Sequence, residues 1–237
     1  MAARRDELAR GLESVRARIV SACADCGRDP GEVSLVVVTK YFPVGDLSDL
    51  AALGVRDIGE NKDQEASAKL DELGRVDPAA RERLRVHFIG QLQTNKAASV
   101  AAYADVVHSV DRERLVRALS RGAQRAGREM DVLLQVALSE GEGRGGAAPE
   151  ALEALADQVA QAPGLELRGL MAVAPLGGDP DDAFARLARI SAGLRATHPE
   201  ADLLSAGMSG DLEAAIRHGA THLRVGSAIL GSRPSTR

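Results

Sequence analysis

V-S-L-V-V-V-T-K, residues 33–40, reads as a β-strand buried on both faces that ends in a lysine. A continuous run of aliphatic, mostly β-branched residues is what a strand covered by helices on both sides shows. The two-residue period places Val36, Val38 and Lys40 on one side of it. Lysine is a costly end for such a strand, because an ammonium near low-dielectric surroundings loses hydration, and the free amine is the form that attacks carbonyls. Lys40 is also one of only four lysines, with Lys62, Lys69 and Lys96, among 30 basic residues. The plainer reading is a strand-end side chain that reaches into solvent.

Outward from this strand the chain alternates between two periods. Before it, residues 3–24 carry Leu8, Leu12, Val15, Ile19 and Val20 at helical spacing, which predicts a long amphipathic helix. After it the pattern predicts helix 44–53, strand 55–59, helix 61–73, a polar connection over 75–85, strand 86–90, helix 95–102, strand 105–110, helix 111–127 and strand 130–138. A glycine-rich loop follows over 139–150, with Pro149 as a first-turn residue of a helix to 162. Strand 165–174, helix 180–197, strand 202–206, helix 212–218, strand 222–225 and a short helix 228–230 complete the chain. About eight strand-then-helix units give the α/β class and a (β/α)8 TIM barrel with an extra N-terminal helix, as a single domain over residues 1–237. The alternative, an open doubly wound sheet, usually needs fewer units.

Bulk properties narrow the function classes. A formal charge of −4 with 27% charged residues offers no basic field for a nucleic-acid backbone, and 2% aromatic content without tryptophan offers no stacking platform. The opening M-A-A-R-R-D-E-L has no signal-peptide core, and no apolar run approaches a membrane span, so a soluble cytoplasmic protein is expected. Cys23 and Cys26 form a lone C-x-x-C at the end of the first helix. With no second pair to complete a zinc site, they read as helix-end residues.

Barrels carry their chemistry at the C-terminal ends of strands. That rule selects Lys40, Gly59 to Asn61, the segment 90–96, Met171, Gly207 to Ser209, and Arg224, Gly226 and Ser227. In A-G-M-S-G-D-L and R-V-G-S-A-I-L, glycine and serine stand just before a helix, where unpaired N–H groups favour a phosphate. Ser209 and Ser227 read otherwise as ordinary N-caps. A strand-end lysine combined with a phosphate cup points to an aldehyde-bearing phosphate held as an imine, for which pyridoxal 5′-phosphate is the obvious candidate. Arg224 is placed to reach the ring nitrogen. A guanidinium accepts no proton and would keep that nitrogen neutral, which favours holding the cofactor over demanding carbanion chemistry.

These segments resemble the pyridoxal phosphate homeostasis proteins, whose fold is similar to the barrel domain of alanine racemase standing alone. The matching pieces are V-V-V-T-K at Lys40, I-G-E-N-K-D-Q-E over 58–65, H-F-I-G-Q-L-Q-T-N-K over 87–96, R-G-L-M-A over 168–172, L-S-A-G-M-S-G-D-L-E-A-A-I over 204–216 and R-V-G-S-A-I-L-G over 224–231. The resemblance implies that Lys40 forms the internal aldimine and that Arg224 faces the pyridine nitrogen. It also implies that Ser209, Gly226 and Ser227 hold the phosphate, and that Asn61 and Met208 line the ring pocket. It implies a carrier role in cofactor homeostasis without robust turnover, with PLP-dependent apo-enzymes as partners and a monomeric barrel. The chain departs from the usual pattern at Ile58, Val86, Gly210 and Arg144. The last stands where a second, cofactor-handling lysine often occurs and cannot form an imine.

Lys62 reads as a solvent-facing helix start, Lys96 as a support for the loop after the third strand, and His87 as a satisfied strand histidine rather than a base. The competing function is a PLP-dependent amino-acid racemase with weak activity. Racemisation needs two opposed acid/base groups, and neither tyrosine, Tyr41 or Tyr103, is placed to face Lys40 across a ring. A Schiff-base aldolase without cofactor is a third reading that the whole-chain resemblance disfavours.

Overall fold

The computed structural model describes residues 2–138 and 145–232. Eight parallel strands close in sequence order into a barrel: β1 (Ser34–Val38), β2 (Asp57–Glu60), β3 (Arg85–Phe88), β4 (Val106–Val110), β5 (Met130–Gln135), β6 (Leu165–Met171), β7 (Leu203–Ser205) and β8 (His222–Val225). The helices are α1 (Ala2–Asp25), α2 (Val44–Ala52), α3 (Asp63–Val76), α4 (Pro78–Arg83), α5 (Ala97–Tyr103), α6 (Glu113–Ala126), α7 (Leu152–Ala160), α8 (Pro180–Thr197), α9 (Leu212–Arg217) and α10 (Ser227–Leu230). β8 returns to pair with β1, in a register that sets Val36 beside Arg224. The fold expected from eight strand-helix units is therefore the one observed, and no helix among the described residues is long and apolar enough to cross a membrane.

Two boundaries differ from the sequence reading in an instructive way. The stretch 75–85, read as a polar connection, holds α4. Asp77 caps it by accepting from the Ala80 N–H, and Pro78 fits its first turn because no N–H is needed there. Only Ala80 of this helix is buried, so one turn left almost no hydrophobic period to detect. Likewise β1 ends at Val38, two residues before Lys40, which lies in a turn just beyond the strand. The loop residue Arg144 lies outside the described residues.

Alternation along each strand separates two cores. Outward residues such as Val37, Ile58, Val86, Val107, Leu134, Leu223 and Val225 pack under the helices in one large cluster, each contributing roughly 1.5–3 kcal/mol by burial. The barrel interior is different. Its apolar part is a small cluster of Val106, Leu133 and Met171 against Leu203, and much of the rest is polar: His87, His108, Ser205, His222 and Arg224 are all buried. On β8 the split is plain, since Leu223 and Val225 join the outer cluster while His222 and Arg224 do not.

A buried neutral histidine has a cost in acid. Burial first, and then the neighbouring His87 ring, push His222 from 6.5 down to about 4, and His108 also falls well below its ordinary value, mainly through burial. As pH drops below 6.5 the unfolded chain takes up protons that the folded barrel refuses until about 4, so stability falls through that window. The expected slope is about 1.4 kcal/mol per pH unit for each such histidine. Urea midpoints measured between pH 7 and pH 4 should fall less steeply in His222→Gln; identical slopes would refute this assignment.

Candidate functional site

Lys40, Asn61, Met208, Ser209, Arg224, Gly226 and Ser227 fall at the ends of β7, β8, β1 and β2, four neighbours in the closed order that form one arc of the rim, whereas Met171 ends β6 and residues 90–96 follow β3. Lys40 is half-buried just past β1. Its Nζ lies 5.9 Å from the Tyr41 ring centre, with Lys62 Nζ 5.3 Å from the same ring. Asn61 follows β2 and is half-buried, and its Oδ1 is enclosed with no hydrogen-bond partner among the described residues. An enclosed acceptor needs a donor, and Asn61 also borders a cleft at the rim. That cleft, of about 510 Å³, is lined by Asn61, Lys62, Asp63, Glu65, Gln91 and Lys96.

Residues from the two glycine-serine motifs expected to form a phosphate cup meet on this arc. Ser227 Oγ donates to Ser209 Oγ at 3.3 Å, so hydroxyls from the β7 and β8 loops converge, with Ser227 exposed and Ser209 half-buried. Gly226 precedes α10 with its α-carbon against β1: a side chain there would stand 3.1 Å from the Val38 carbonyl. The β7 loop is fixed by Asp211, whose carboxylate accepts from the Met208 N–H at 2.6 Å, and it joins β8 through the Arg224 N–H donating to the Gly207 carbonyl. Met208 is exposed at the mouth.

Arg224 is almost completely buried. Its Nη1 donates to Ser205 Oγ at 2.6 Å and its Nη2 to the Ala172 carbonyl at 2.8 Å. Burial pulls the guanidinium down to about 10, still charged at neutral pH.

Three supports were not singled out in the sequence. Lys69 is buried on α3, and its ammonium donates to the Thr39 carbonyl at 2.9 Å and to Glu60 Oε1 at 2.8 Å. Thr39 Oγ1 donates to the same Glu60 oxygen at 2.7 Å, and Glu65 accepts from the Tyr41 N–H. Burial raises the Glu60 carboxyl, against the lowering effect of Lys69. This network brackets Lys40 on both sides and holds Tyr41 at φ 70, a left-handed conformation uncommon for a non-glycine residue. A lysine four residues after Glu65 looks in sequence like a surface helix pair.

Arg18 of α1 is the second support. It pairs with Glu213 at 2.7 Å and donates to the Ser209 carbonyl at 3.0 Å, so the N-terminal helix braces the cup. Gly11 is the third: it lets α1 approach α10, since a Cβ there would meet the Ile229 carbonyl at 2.7 Å and the Ile229 Cα at 2.9 Å. Gly11→Ala gains up to about 1 kcal/mol of helix propensity, but overpacking against backbone costs about 1–3 kcal/mol. The expected result is a net loss in denaturant midpoint together with severalfold weaker phosphate-ligand binding by titration calorimetry; unchanged binding would separate α1 from the cup.

Other expectations resolve as follows. Lys62 is exposed at the N-cap of α3, and Lys96 stands 3.8 Å from Asp63. His87 is fully buried between Asp57 and His108, a satisfied strand histidine. Cys23 packs in the core, where burial raises its thiol, and Cys26 Sγ donates to the Ala22 carbonyl at 3.2 Å, as helix-end residues do. Tyr103 is buried in the outer core, where burial keeps its phenol protonated.

Comparison with known proteins finds relatives along nearly the whole chain. Residues 20–234 match the family described as alanine racemase, N-terminal domain. The pyridoxal phosphate homeostasis protein of Mycobacterium tuberculosis (strain H37Rv) is 44% identical over 243 residues, covering 97% of this chain and 94% of the relative. The structure of PipY from Synechococcus elongatus with PLP bound superposes with a TM-score of 0.82 at 34% identity, over 94% of this chain and 100% of that one. Alanine racemase from Corynebacterium glutamicum shares the fold alone, with a TM-score of 0.68 at 15% identity over 95% of this chain and 60% of the racemase. With a lysine turn, a paired-serine cup and an enclosed arginine on one barrel rim, and with relatives matched along nearly its whole length, the chain belongs to the pyridoxal phosphate homeostasis protein family.

Proposed function

We propose that this chain binds pyridoxal 5′-phosphate on the β7–β8–β1–β2 arc and holds it for intracellular cofactor homeostasis. Lys40 is the amine that captures the aldehyde carbon, Ser209, Gly226 and Ser227 receive the phosphate, Asn61 and Met208 border the ring, and Arg224 faces its nitrogen. The observation that carries this reading is the convergence, on four consecutive strand ends, of an amine, a hydroxyl-lined cup and a buried guanidinium. When bound, the cofactor supplies an aldehyde open to amines and a ring able to draw electrons from an attached amino acid.

The protein's own residues favour retention over turnover. Arg224 donates and takes no proton, so it leaves the ring nitrogen unprotonated and the ring a weak electron sink. Racemisation needs a second acid/base group opposite Lys40. Tyr41 shares the Lys40 turn, and Tyr103 is buried in the outer core with its phenol beside Asp63 and Glu60. The reading therefore makes the chain a carrier rather than a racemase: a monomeric barrel in the cytoplasm that passes its cofactor to PLP-dependent apo-enzymes.

Borohydride treatment of the purified, cofactor-loaded protein followed by peptide mass mapping should mark Lys40. A protein that stays colourless after addition of pyridoxal phosphate sinks the binding proposal. Chiral amino-acid turnover that disappears in Lys40→Ala sinks the carrier proposal.

A further inference from the structure

Five polar side chains from five strands, four of them buried and Asp57 partly exposed, form one unbroken line through the barrel. Arg224 Nη1 on β8 donates to Ser205 Oγ on β7 at 2.6 Å. Ser205 Oγ and His108 Nδ1 on β4 are 2.9 Å apart, His108 Nε2 and His87 Nδ1 on β3 are 2.8 Å apart, and His87 Nε2 and Asp57 Oδ1 on β2 are 2.9 Å apart. Ser205, His108 and His87 are completely buried and Arg224 nearly so. Asp57 begins β2 whereas Asn61 follows its end, so the line runs from the cofactor arc to the opposite end of the barrel.

Barrel interiors are usually filled by branched apolar side chains, and a polar filling is tolerated only when each group is satisfied. Here one polarity satisfies all of them. Burial alone would raise the Asp57 carboxyl, but the His87 hydrogen bond, with Arg85 and His222 nearby, brings it below the ordinary value, so it is an acceptor. His87 then donates from Nε2 and accepts at Nδ1, His108 donates from Nε2 and accepts at Nδ1, and Ser205 donates its hydroxyl and accepts from Arg224. The reverse polarity would leave the Ser205 hydrogen between two donors. Every bond points from Arg224 toward Asp57, and bonds in such a chain polarise one another.

We infer that Asp57 is a positioning residue for the bound ring: through His87, His108 and Ser205 it orients Arg224 and offsets the buried guanidinium charge, weakening the hydrogen bond that Arg224 offers the ring nitrogen. This rests on the cofactor reading above. With Ser205 and the Ala172 carbonyl each taking one of its donors, the guanidinium plane is fixed while N–H groups remain for the ring. Cutting the line leaves the cation less compensated and its remaining N–H groups stronger donors.

The test has one arm without cofactor and one with it. Long-range nitrogen NMR of the full chain labelled with 15N-histidine should show the hydrogen on Nε2 of both His87 and His108. In protein loaded with 15N-labelled pyridoxal phosphate, Asp57→Asn and Ser205→Ala should each move the ring-nitrogen signal upfield. Asp131→Asn, which removes the Arg85 partner outside the line, should not. An Nδ1–H on either histidine overturns the assigned polarity. A ring signal that coincides in wild type, Asp57→Asn and Ser205→Ala overturns the coupling while the cofactor reading stands, and Ser205→Ala decides alone if Asp57→Asn fails to fold. A wild type that gives no bound-cofactor signal overturns the cofactor reading and this inference with it, whatever the histidine arm returns.

Discussion

Lys40→Ala is expected to leave a folded barrel that no longer retains pyridoxal phosphate through dialysis and yields no borohydride-stable adduct. The loss should be large because no other lysine can take the role. Lys69 is buried in hydrogen bonds to Thr39 and Glu60, Lys96 stands near Asp63, and Lys62 is exposed to solvent at the N-cap position of α3. What remains is the serine cup and Arg224, which hold the ligand without a bond to its carbon. Affinity should drop by on the order of a hundredfold or more, about 3 kcal/mol. Spectral titration measures it directly, and a Ser209→Ala/Ser227→Ala double variant should bind more weakly yet still label at Lys40. An adduct of wild-type yield at another lysine in Lys40→Ala would refute the assignment.

The second large effect is expected at a residue that touches no ligand. Glu60 is completely buried, and its Oε2 has no hydrogen-bond partner among the described residues, so Lys69 is its principal compensation. Removing one member of a buried pair strands the other, at a cost of about 3–5 kcal/mol. Lys69→Ala should therefore lower the urea midpoint sharply. It should also weaken cofactor retention, because the Thr39 carbonyl and the Glu65 carboxylate that shape the Lys40 turn lose their common donor. Lys69→Met combined with Glu60→Gln should recover much of the stability, since a neutral amide needs less compensation than a stranded charge. A loss under about 1 kcal/mol in Lys69→Ala, the size of an exposed pair, would show that the network carries little.

How far the sequence reveals this protein depends on which period a residue obeys. The strands and long helices were legible because each buries one face over many residues; β8 and α8 were bounded correctly from the pattern alone. The single turn of α4 was not, having one buried residue. The rim position of Lys40, Ser209, Ser227 and Arg224 was legible because a strand-end rule and glycine-serine turns point to it. Lys69, Arg18 and Gly11 were not, because their roles arise from contacts between elements far apart in the chain: Arg18 meets Ser209 across 191 positions. The polar interior was also hidden. Only His87 drew notice, as a satisfied residue, and nothing in local spacing says that His87, His108 and Ser205 share one line.

The β8 strand has a further meaning. Arg224 lies on β8 and Gly226 just beyond its end, two residues on, one buried at the inner edge of the arc and the other opening the turn into α10. At the rise of an extended chain that interval is about 6.6 Å. On the cofactor reading proposed above, β8 is thus a ruler: it sets the spacing between ring nitrogen and phosphate that a ligand has to match, and it measures molecules by length before any amine reacts with them.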